Sequence, residues 1–175
     1  KEAEKIISPH YDDRECDIKN IDLLVIHNIS LPPATAEHDF DNKYVEAFFQ
    51  GHLDATEHDY FGEIAHLRVS AHLYIKRNGQ LIQFVPFDKR AWHAGVSEYK
   101  GRSKCNDFSI GIEMQGTDDM PFTEAQYNTL ISVTKELKLR FPLIQNNIVG
   151  HSDIAPGRKT DPGRYFDWNH YFSQL

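Results

Sequence analysis

The sequence is poor in cysteine and has no long apolar run, and each shortage excludes a class of protein. Two cysteines among 175 residues, Cys16 and Cys105, are too few for a disulfide framework. We interpret them as free thiols of a reducing compartment, with a single disulfide as the alternative. No apolar run approaches the length of a membrane span, and the first twenty residues contain no signal-peptide hydrophobic region. We therefore predict a cytoplasmic protein with no membrane partner.

Positive charge is also scarce. The net charge is −7 and the sequence pI is about 5.8, which is a poor match for a nucleic-acid backbone, so we predict no nucleic-acid partner. The exception is the segment 76–104, which holds seven Lys and Arg residues against two acidic ones. This basic segment either attracts a small anionic ligand or consists of ordinary solvated loops, and the sequence leaves both interpretations open.

Apolar patterning predicts one globular domain over residues 1–175, with its core at about 20–170. The apolar run 21–30 is typical of a central strand that is covered on both faces. Residues 72–86 alternate around Asn78-Gly79, which is the strongest short signal for a β-hairpin. This chain length and a 40% hydrophobic content suit a single core.

A third strand is predicted over 108–116, where every second side chain is apolar. The other face of this strand carries Glu113 among small residues, as the floor of a cavity would. Helices are predicted over 41–50 and from the Thr123 capping box to about Phe141, followed by a short strand over 146–151. The fold class is therefore α/β, with a mixed central sheet and helices on both faces.

Residues 150–163, GHSDIAPGRKTDPG, are predicted to form an exposed loop because of their glycines and prolines. Two of its side chains, His151 and Asp161, are possible metal ligands, and His27 resembles His151 because each ends an apolar strand and precedes a loop. In open α/β sheets, functional sites gather at the carboxyl ends of strands. Two imidazoles and one carboxylate can form a three-ligand zinc site with a fourth position for water. Because the three residues lie far apart in the chain, spacing alone is weak support for this site.

Five segments together resemble one family of enzymes. They are HNISLPP (27–33), EIAHLRVSAH (63–72), VPFDKRAWHAG (85–95), CNDFSIGIE (105–113) and the loop 150–163. The resemblance is to the zinc N-acetylmuramoyl-L-alanine amidases, a group that includes phage lysozyme-type amidases and peptidoglycan recognition proteins. Within that group it is specific to the cytoplasmic amidases that act on 1,6-anhydro-N-acetylmuramyl-L-alanine in peptidoglycan recycling. It extends from about residue 8 to residue 168.

The resemblance implies a role for each matching residue. His27, His151 and Asp161 would bind zinc, Glu113 would act as acid and base, and Lys159 would stabilise the transition state. Five further residues are candidates for substrate binding: Asn28, Arg68, Trp92, Lys104 and Ala155. Lys104 stands where the family has an arginine, which keeps the charge but loses the two-pronged grip on a carboxylate.

The implied reaction is hydrolysis of the amide between N-acetylmuramic acid, preferably in its 1,6-anhydro form, and L-alanine of the stem peptide. The partner would be a small anhydro-muropeptide; the sequence does not identify any protein partner. Three alternatives stay open. They are a recognition module that binds muropeptide without cutting it, a cysteine hydrolase that uses Cys105, and a secreted amidase that acts on intact wall.

Overall fold

A computed structural model describes residues 2–175, which form ten strands and five α-helices. The strands are Glu4–Lys5 (β1), Tyr11–Asp13 (β2), Leu23–Ile29 (β3), Leu73–Ile75 (β4), Leu81–Gln83 (β5), Lys89–Ala91 (β6), Glu98–Tyr99 (β7), Arg102–Ser103 (β8), Ser109–Gln115 (β9) and Ile148–Gly150 (β10). The α-helices are Tyr44–Phe49 (α1), Asp59–Ile64 (α2), Glu124–Arg140 (α3), His151–Ile154 (α4) and Trp168–Ser173 (α5).

Six strands form the central sheet in the order β1-β5-β4-β9-β3-β10. Every neighbouring pair is parallel except β4 and β5, which form the hairpin predicted around Asn78-Gly79. Gly79 has a φ of +77°, and a Cβ atom there would lie 2.6 Å from the backbone oxygen of Ala125. Glycine therefore allows both the turn and the close approach of α3. The predicted mixed sheet is confirmed.

One face of the two central strands, β3 and β9, is mainly apolar. Alternate residues of β3 and β9, such as Ile26 and Ile112, are fully buried there beneath α3 and α5. Helix α3 begins with the predicted capping box, in which Thr123 and Gln126 each accept a bond from the other's backbone N–H. The long helix and the two central strands thus form the main hydrophobic core.

The opposite face is covered only in part. Helices α1 and α2 pack Phe49 and Phe61 against Tyr74 of β4 and Phe84, which follows β5. Helices therefore lie on both faces, as predicted. Beyond these two helices, the same face of β3 and β9 carries polar side chains, including His27 and Glu113, which are only 1% and 8% exposed.

Two local predictions differ from the structure. The strand predicted over 146–151 ends at Gly150, so that His151 is the first residue of α4 and part of the predicted loop is helical. The carboxylate of Asp153 accepts a bond of 2.8 Å from the N–H of Gly150 and so caps this single turn. Helix α2 was not predicted from the sequence, and burial of Phe61 holds it in place.

The basic segment 76–104 is largely neutralised by acidic residues from elsewhere in the chain. Its ion pairs are Lys76–Glu46, Arg77–Glu37, Lys89–Asp13, Arg90–Asp12, Arg102–Asp22 and Lys104–Glu15. This pairing favours the interpretation as ordinary solvated structure over attraction of an anion. Among the described residues, none of the helices combines the length and apolar character that a membrane crossing requires.

Candidate metal centre and cleft

The parallel register of three strands places two of the three candidate metal ligands, His27 and His151, at one edge of the sheet. His27 of β3 lies directly opposite Glu113 of β9, and Gly150 of β10 pairs with Ile26 on the other side of β3. His151 follows Gly150 immediately, so both histidines project from the same sheet edge. Carboxyl ends of neighbouring parallel strands therefore bring together residues that are 124 positions apart.

The three candidate ligand atoms form a nearly equilateral triangle. Nδ1 of His27 lies 3.0 Å from Nδ1 of His151, and both nitrogens lie 3.1 Å from Oδ2 of Asp161. Donor atoms at the bond lengths of a tetrahedral zinc ion lie about 3.3 Å from one another. The spacing and the donor types of His27, His151 and Asp161 thus fit a single zinc ion that has one coordination position free.

The outer nitrogen of each histidine has its own partner. Nε2 of His151 donates to the backbone oxygen of Ala94 at 3.0 Å, because a carbonyl can only accept. In a neutral His151, the lone pair is then on Nδ1 and faces the triangle. Nε2 of His27 lies 2.9 Å from Nδ1 of His93, a residue that the sequence interpretation did not single out.

Burial and charge set the protonation of this group. Burial lowers the pKa of His27 to about 4, although the nearby carboxylate of Asp161 acts in the opposite direction. Burial would raise the pKa of Asp161, but its close contacts with the imidazoles of His151 and His27 outweigh burial and hold that pKa well below its usual range. A neutral imidazole and an ionised carboxylate are the forms that bind a metal ion.

Glu113 is buried at the floor of the cleft, as the alternation of β9 predicted. Burial raises the pKa of its carboxyl group well above the usual value, with Asp161 acting in the same direction and Lys159 opposing it. Its Oε2 atom is buried and has no hydrogen-bond partner among the described residues. A partnerless carboxyl oxygen that faces a cleft is available to exchange a proton with a bound molecule.

Lys159 lines the same cleft from the loop that follows α4. Its backbone N–H donates to the oxygen of Ala155 at 3.1 Å, and its side chain lowers the pKa values of both Glu113 and His27. The neighbouring Arg158 does not line the cleft, and its Nη2 donates to the backbone oxygens of Ala94 and Val96. Of this basic pair, Lys159 is therefore the residue that lies at the site.

The cleft encloses about 340 Å³ and has walls of different character. One wall carries the polar groups around His27, and the other is apolar. The apolar wall comes mainly from α1, α2 and the segment after α2: Phe48, Phe49, Tyr60, Ile64, Leu67 and Val69. Sequence analysis missed this wall because α2 had not been predicted. A ligand with both polar and apolar parts suits such a cleft.

The residues considered for substrate binding are divided by the structure. Asn28 and Trp92 line the cleft, and Asn28 donates to Oδ1 of Asp118 at 2.7 Å. Arg68 and Lys104 are exposed and lie outside the part of the cleft that residues 2–175 define, and buried Ala155 also lies outside it. The first two are therefore in place for a ligand in this cleft, whereas the other three require a ligand that extends beyond it.

Cys105 does not offer a nucleophile at this site. Its side chain is fully buried in an apolar cluster with Leu23, Val25 and Phe108. Burial raises the pKa of its thiol, which lowers the population of the reactive thiolate. The cysteine-hydrolase alternative therefore lacks both access and activation. Cys16 and Cys105 are both free thiols, as expected.

Comparison with known proteins identifies a family. Residues 17–164 match the family model described as N-acetylmuramoyl-L-alanine amidase. The chain is 58% identical over 167 residues to the 1,6-anhydro-N-acetylmuramyl-L-alanine amidase AmpD of Citrobacter freundii, a match that covers 95% of this chain and 87% of that protein.

Solved structures agree in fold. A crystal structure of a selenomethionine derivative of AmpD superimposes with a TM-score of 0.94 at 55% identity, covering 99% of this chain and 94% of that one. The amidase AmiD of Escherichia coli, solved with the substrate anhydro-N-acetylmuramic acid-L-Ala-D-γ-Glu-L-Lys, gives a TM-score of 0.63 at 30% identity, covering 89% of this chain and 57% of that one. The chain therefore belongs to the N-acetylmuramoyl-L-alanine amidase family, and within it to the 1,6-anhydro-N-acetylmuramyl-L-alanine amidases.

Proposed function

We propose that this amidase is zinc-dependent and cuts the bond between N-acetylmuramic acid, preferably in its 1,6-anhydro form, and L-alanine of the stem peptide. His27, His151 and Asp161 would hold the metal ion. The observation that carries the proposal is the triangle of two imidazole nitrogens and one carboxylate oxygen, each within 3.1 Å of the other two. Three ligand atoms with a free fourth position are typical of catalytic zinc sites rather than structural ones.

The triangle is difficult to explain without a cation. If both histidines are neutral and His151 carries its proton on Nε2, the lone pair of its Nδ1 faces both Nδ1 of His27 and an ionised carboxylate. Hydrogen bonding could then supply at most one proton, from His27, to this side of the group. A divalent cation would interact favourably with all three atoms. The donor chemistry therefore supports a resident metal ion.

Zinc bound by three such ligands supplies a water of lowered pKa, about 7, and polarises a substrate carbonyl. Glu113 can hold and move the protons of the reaction at its partnerless Oε2. It would take a proton from the attacking water and give one to the departing amine, which is too basic to leave as an anion. Lys159 would face the negative charge that develops on the carbonyl oxygen.

The proposed substrate is supported by the shape of the cleft and by the relatives. Trp92 is half-buried beside the metal site and offers an aromatic face to a sugar ring, while Asn28 offers an amide to the peptide. AmiD binds an anhydro-muropeptide, and AmpD of Citrobacter freundii is named for cleavage of the anhydro sugar from L-alanine. We extend both properties to this chain as a proposal.

The metal requirement can be tested with two aspartates, Asp161 and Asp153 of α4. Asp161→Asn should weaken zinc binding by more than the roughly 10–100-fold that outer contacts of a metal site contribute, because an amide is a poor substitute for an anionic ligand. Asp153→Asn is the matched control, since it keeps an oxygen that can accept from Gly150 and should bind zinc normally. Zinc per chain, measured before and after chelation, together with turnover, provides the readout. Full activity in fully zinc-free protein would refute the proposal.

The bond and the sugar preference are tested by mass spectrometry of products from a defined anhydro-muropeptide and its non-anhydro counterpart. We expect free peptide that begins with L-alanine, formed faster from the anhydro compound. Tight binding without any product would instead indicate the recognition module. Equal rates would remove the sugar preference but leave the amidase. A cytoplasmic location remains a prediction, which fractionation of the producing cells would test.

A further inference from the structure

We propose that His93 is a positioning residue, which holds the ring of His27 in the tautomer and orientation that a metal ion requires. The inference rests on the proposed zinc site. His93 contacts none of the three candidate ligand atoms of the triangle, so its role would be indirect.

The contacts of His93 form a chain that leads away from the site. Nδ1 of His93 lies 2.9 Å from Nε2 of His27, and Nε2 of His93 lies 3.2 Å from Oγ of Ser109. The two imidazole rings meet edge to face, with centroids 5.0 Å apart. All three residues are buried, with exposed fractions of 9% or less, so water does not compete freely for these bonds.

With a metal ion bound, the hydrogen bonds that link His27, His93 and Ser109 allow only one arrangement of protons. A metal ion at Nδ1 of His27 requires the lone pair there, so the proton of the neutral ring must be on Nε2. Nδ1 of His93 then accepts a hydrogen bond from the Nε2–H of His27, and Nε2 of His93 donates to the hydroxyl oxygen of Ser109. Histidine ligands of metal ions commonly have such an outer partner, which fixes the ring.

The sheet leaves room for His93 at one glycine. A Cβ atom on Gly111 would lie 2.5 Å from Cγ of His93 and 2.6 Å from its Nδ1. Gly111 lies on β9 between Ser109 and Glu113, on the same face. A single strand thus supplies the outer hydroxyl, the space for the ring and the candidate catalytic carboxyl group.

Hydrogen bonds with side chains anchor the backbone of His93 and of the next residue, Ala94. Oδ1 of Asn106 accepts from the N–H groups of His93 and Ala94 at 3.1 and 2.8 Å. The oxygen of Ala94 in turn accepts from Nε2 of His151 and from Arg158. Two consecutive residues therefore contact both candidate histidine ligands from outside, which ties the two rings to one rigid segment.

The experiment compares His93→Leu with His93→Asn by competition of zinc with a chromophoric chelator. Leucine removes the acceptor, and zinc affinity should fall roughly 10–100-fold. Asparagine can place its amide oxygen near the position of Nδ1, and affinity should stay within about threefold of the unsubstituted protein, a difference of about 0.7 kcal/mol. The ¹⁵N chemical shifts of the His27 ring in zinc-loaded protein should report a proton on Nε2 in the asparagine variant.

A second variant removes no polar group. Gly111→Ala should displace the ring of His93 and weaken zinc binding in the same way as His93→Leu. In the double variant His93→Ala/Gly111→Ala the crowding is gone, so the second change should add little to the loss caused by His93→Ala alone. Thermal unfolding of each metal-free protein separates a general loss of stability from a specific loss of zinc affinity.

The outcomes distinguish this inference from the proposed function. An unsubstituted protein that does not bind zinc stoichiometrically would refute the metal site itself. If it binds zinc and folded His93→Leu binds equally well, only the role of His93 is refuted. Should His93→Leu fail to fold, Gly111→Ala decides: unchanged zinc affinity in that folded variant would also overturn the inference.

Discussion

The two faces of β3 and β9 carry side chains of different character and meet different surroundings. On one face, Ile26 and Ile112 are fully buried beneath a 17-residue helix. On the other face, one position further along each strand, His27 and Glu113 are almost as buried but face a cleft. The backbone hydrogen bonds are shared, so the difference lies entirely in what the side chains meet.

The apolar face mainly stabilises the fold, whereas the other face carries the groups of the candidate site. Burial of apolar side chains on the first face stabilises the fold by roughly 25 cal/mol per Å² of apolar area. The second face buries imidazoles that need partners and a carboxyl oxygen, Oε2 of Glu113, that has none among the described residues. We infer that the apolar face offsets the cost of a site whose polar groups are reserved for a ligand.

The largest effect is expected from the polar side of β9. Glu113→Gln keeps the shape of the side chain but removes the acid–base group, and turnover should fall roughly 10²–10⁴-fold. Zinc content and thermal stability should remain close to those of the unsubstituted protein, because Oε2 has no internal partner to lose. Steady-state kinetics with a defined muropeptide provides the measurement. A variant with near-normal turnover would remove Glu113 from the reaction.

The adjacent residue on the apolar side should give the opposite result. Ile112→Ala removes buried methyl groups from the main core and should lower the free energy of unfolding by about 2–5 kcal/mol. Turnover per folded molecule and zinc content should change little. Urea unfolding together with kinetics at low temperature checks both. If Ile112→Ala instead lost zinc at full stability, the two faces would not be separable.

The N-terminus of α3 tests the apolar face more gently. Thr123→Ala removes the side-chain acceptor for the N–H of Gln126 and a bond from the Thr123 hydroxyl to the oxygen of Arg77. We expect a loss of about 1–2 kcal/mol in the free energy of unfolding. Ser132→Ala, at an exposed position of the same helix, is the control and should change stability by less than about 0.5 kcal/mol.

The smallest effect is expected at Lys104, which is exposed and is not among the residues that line the cleft. Lys104→Arg introduces the arginine that the family resemblance implies at this position, and should lower KM by up to about fivefold if the substrate carboxylate reaches it, with kcat unchanged. Lys100→Arg is matched, because both lysines are exposed and have positive φ values of 50° and 60°. Equal behaviour of the two variants would place Lys104 outside the binding surface.

Regular periodicity made much of the fold predictable. The apolar run of β3, the Asn-Gly hairpin, the alternation of β9 and the capped helix α3 all depend on neighbours in sequence. In each case the residues that lie close in the chain also determine the local structure. Helix α2 shows the limit, because its six residues are held by the burial of Phe61 rather than by a local pattern.

Parts of the site required contacts that no local pattern contains. His93 lies in a loop, and only the packing of that loop against β9 places its ring beside His27 and above Gly111. The basic segment likewise appeared to be unneutralised in sequence, whereas its acidic partners come from distant positions such as Asp12 and Glu46. The apolar wall of the cleft depends on the same kind of distant packing.

The sequence by itself determined which chemical groups are present and on which face of each strand they project, because side-chain direction follows from the period of a strand or helix. It also determined the family, through residues that match over most of the chain. Only the tertiary structure decided that His27, His151 and Asp161 meet within 3.1 Å and that a third imidazole, that of His93, lies 2.9 Å from Nε2 of His27. Such a meeting depends on which strands lie side by side, and that is fixed by the packing of the whole core rather than by neighbouring residues.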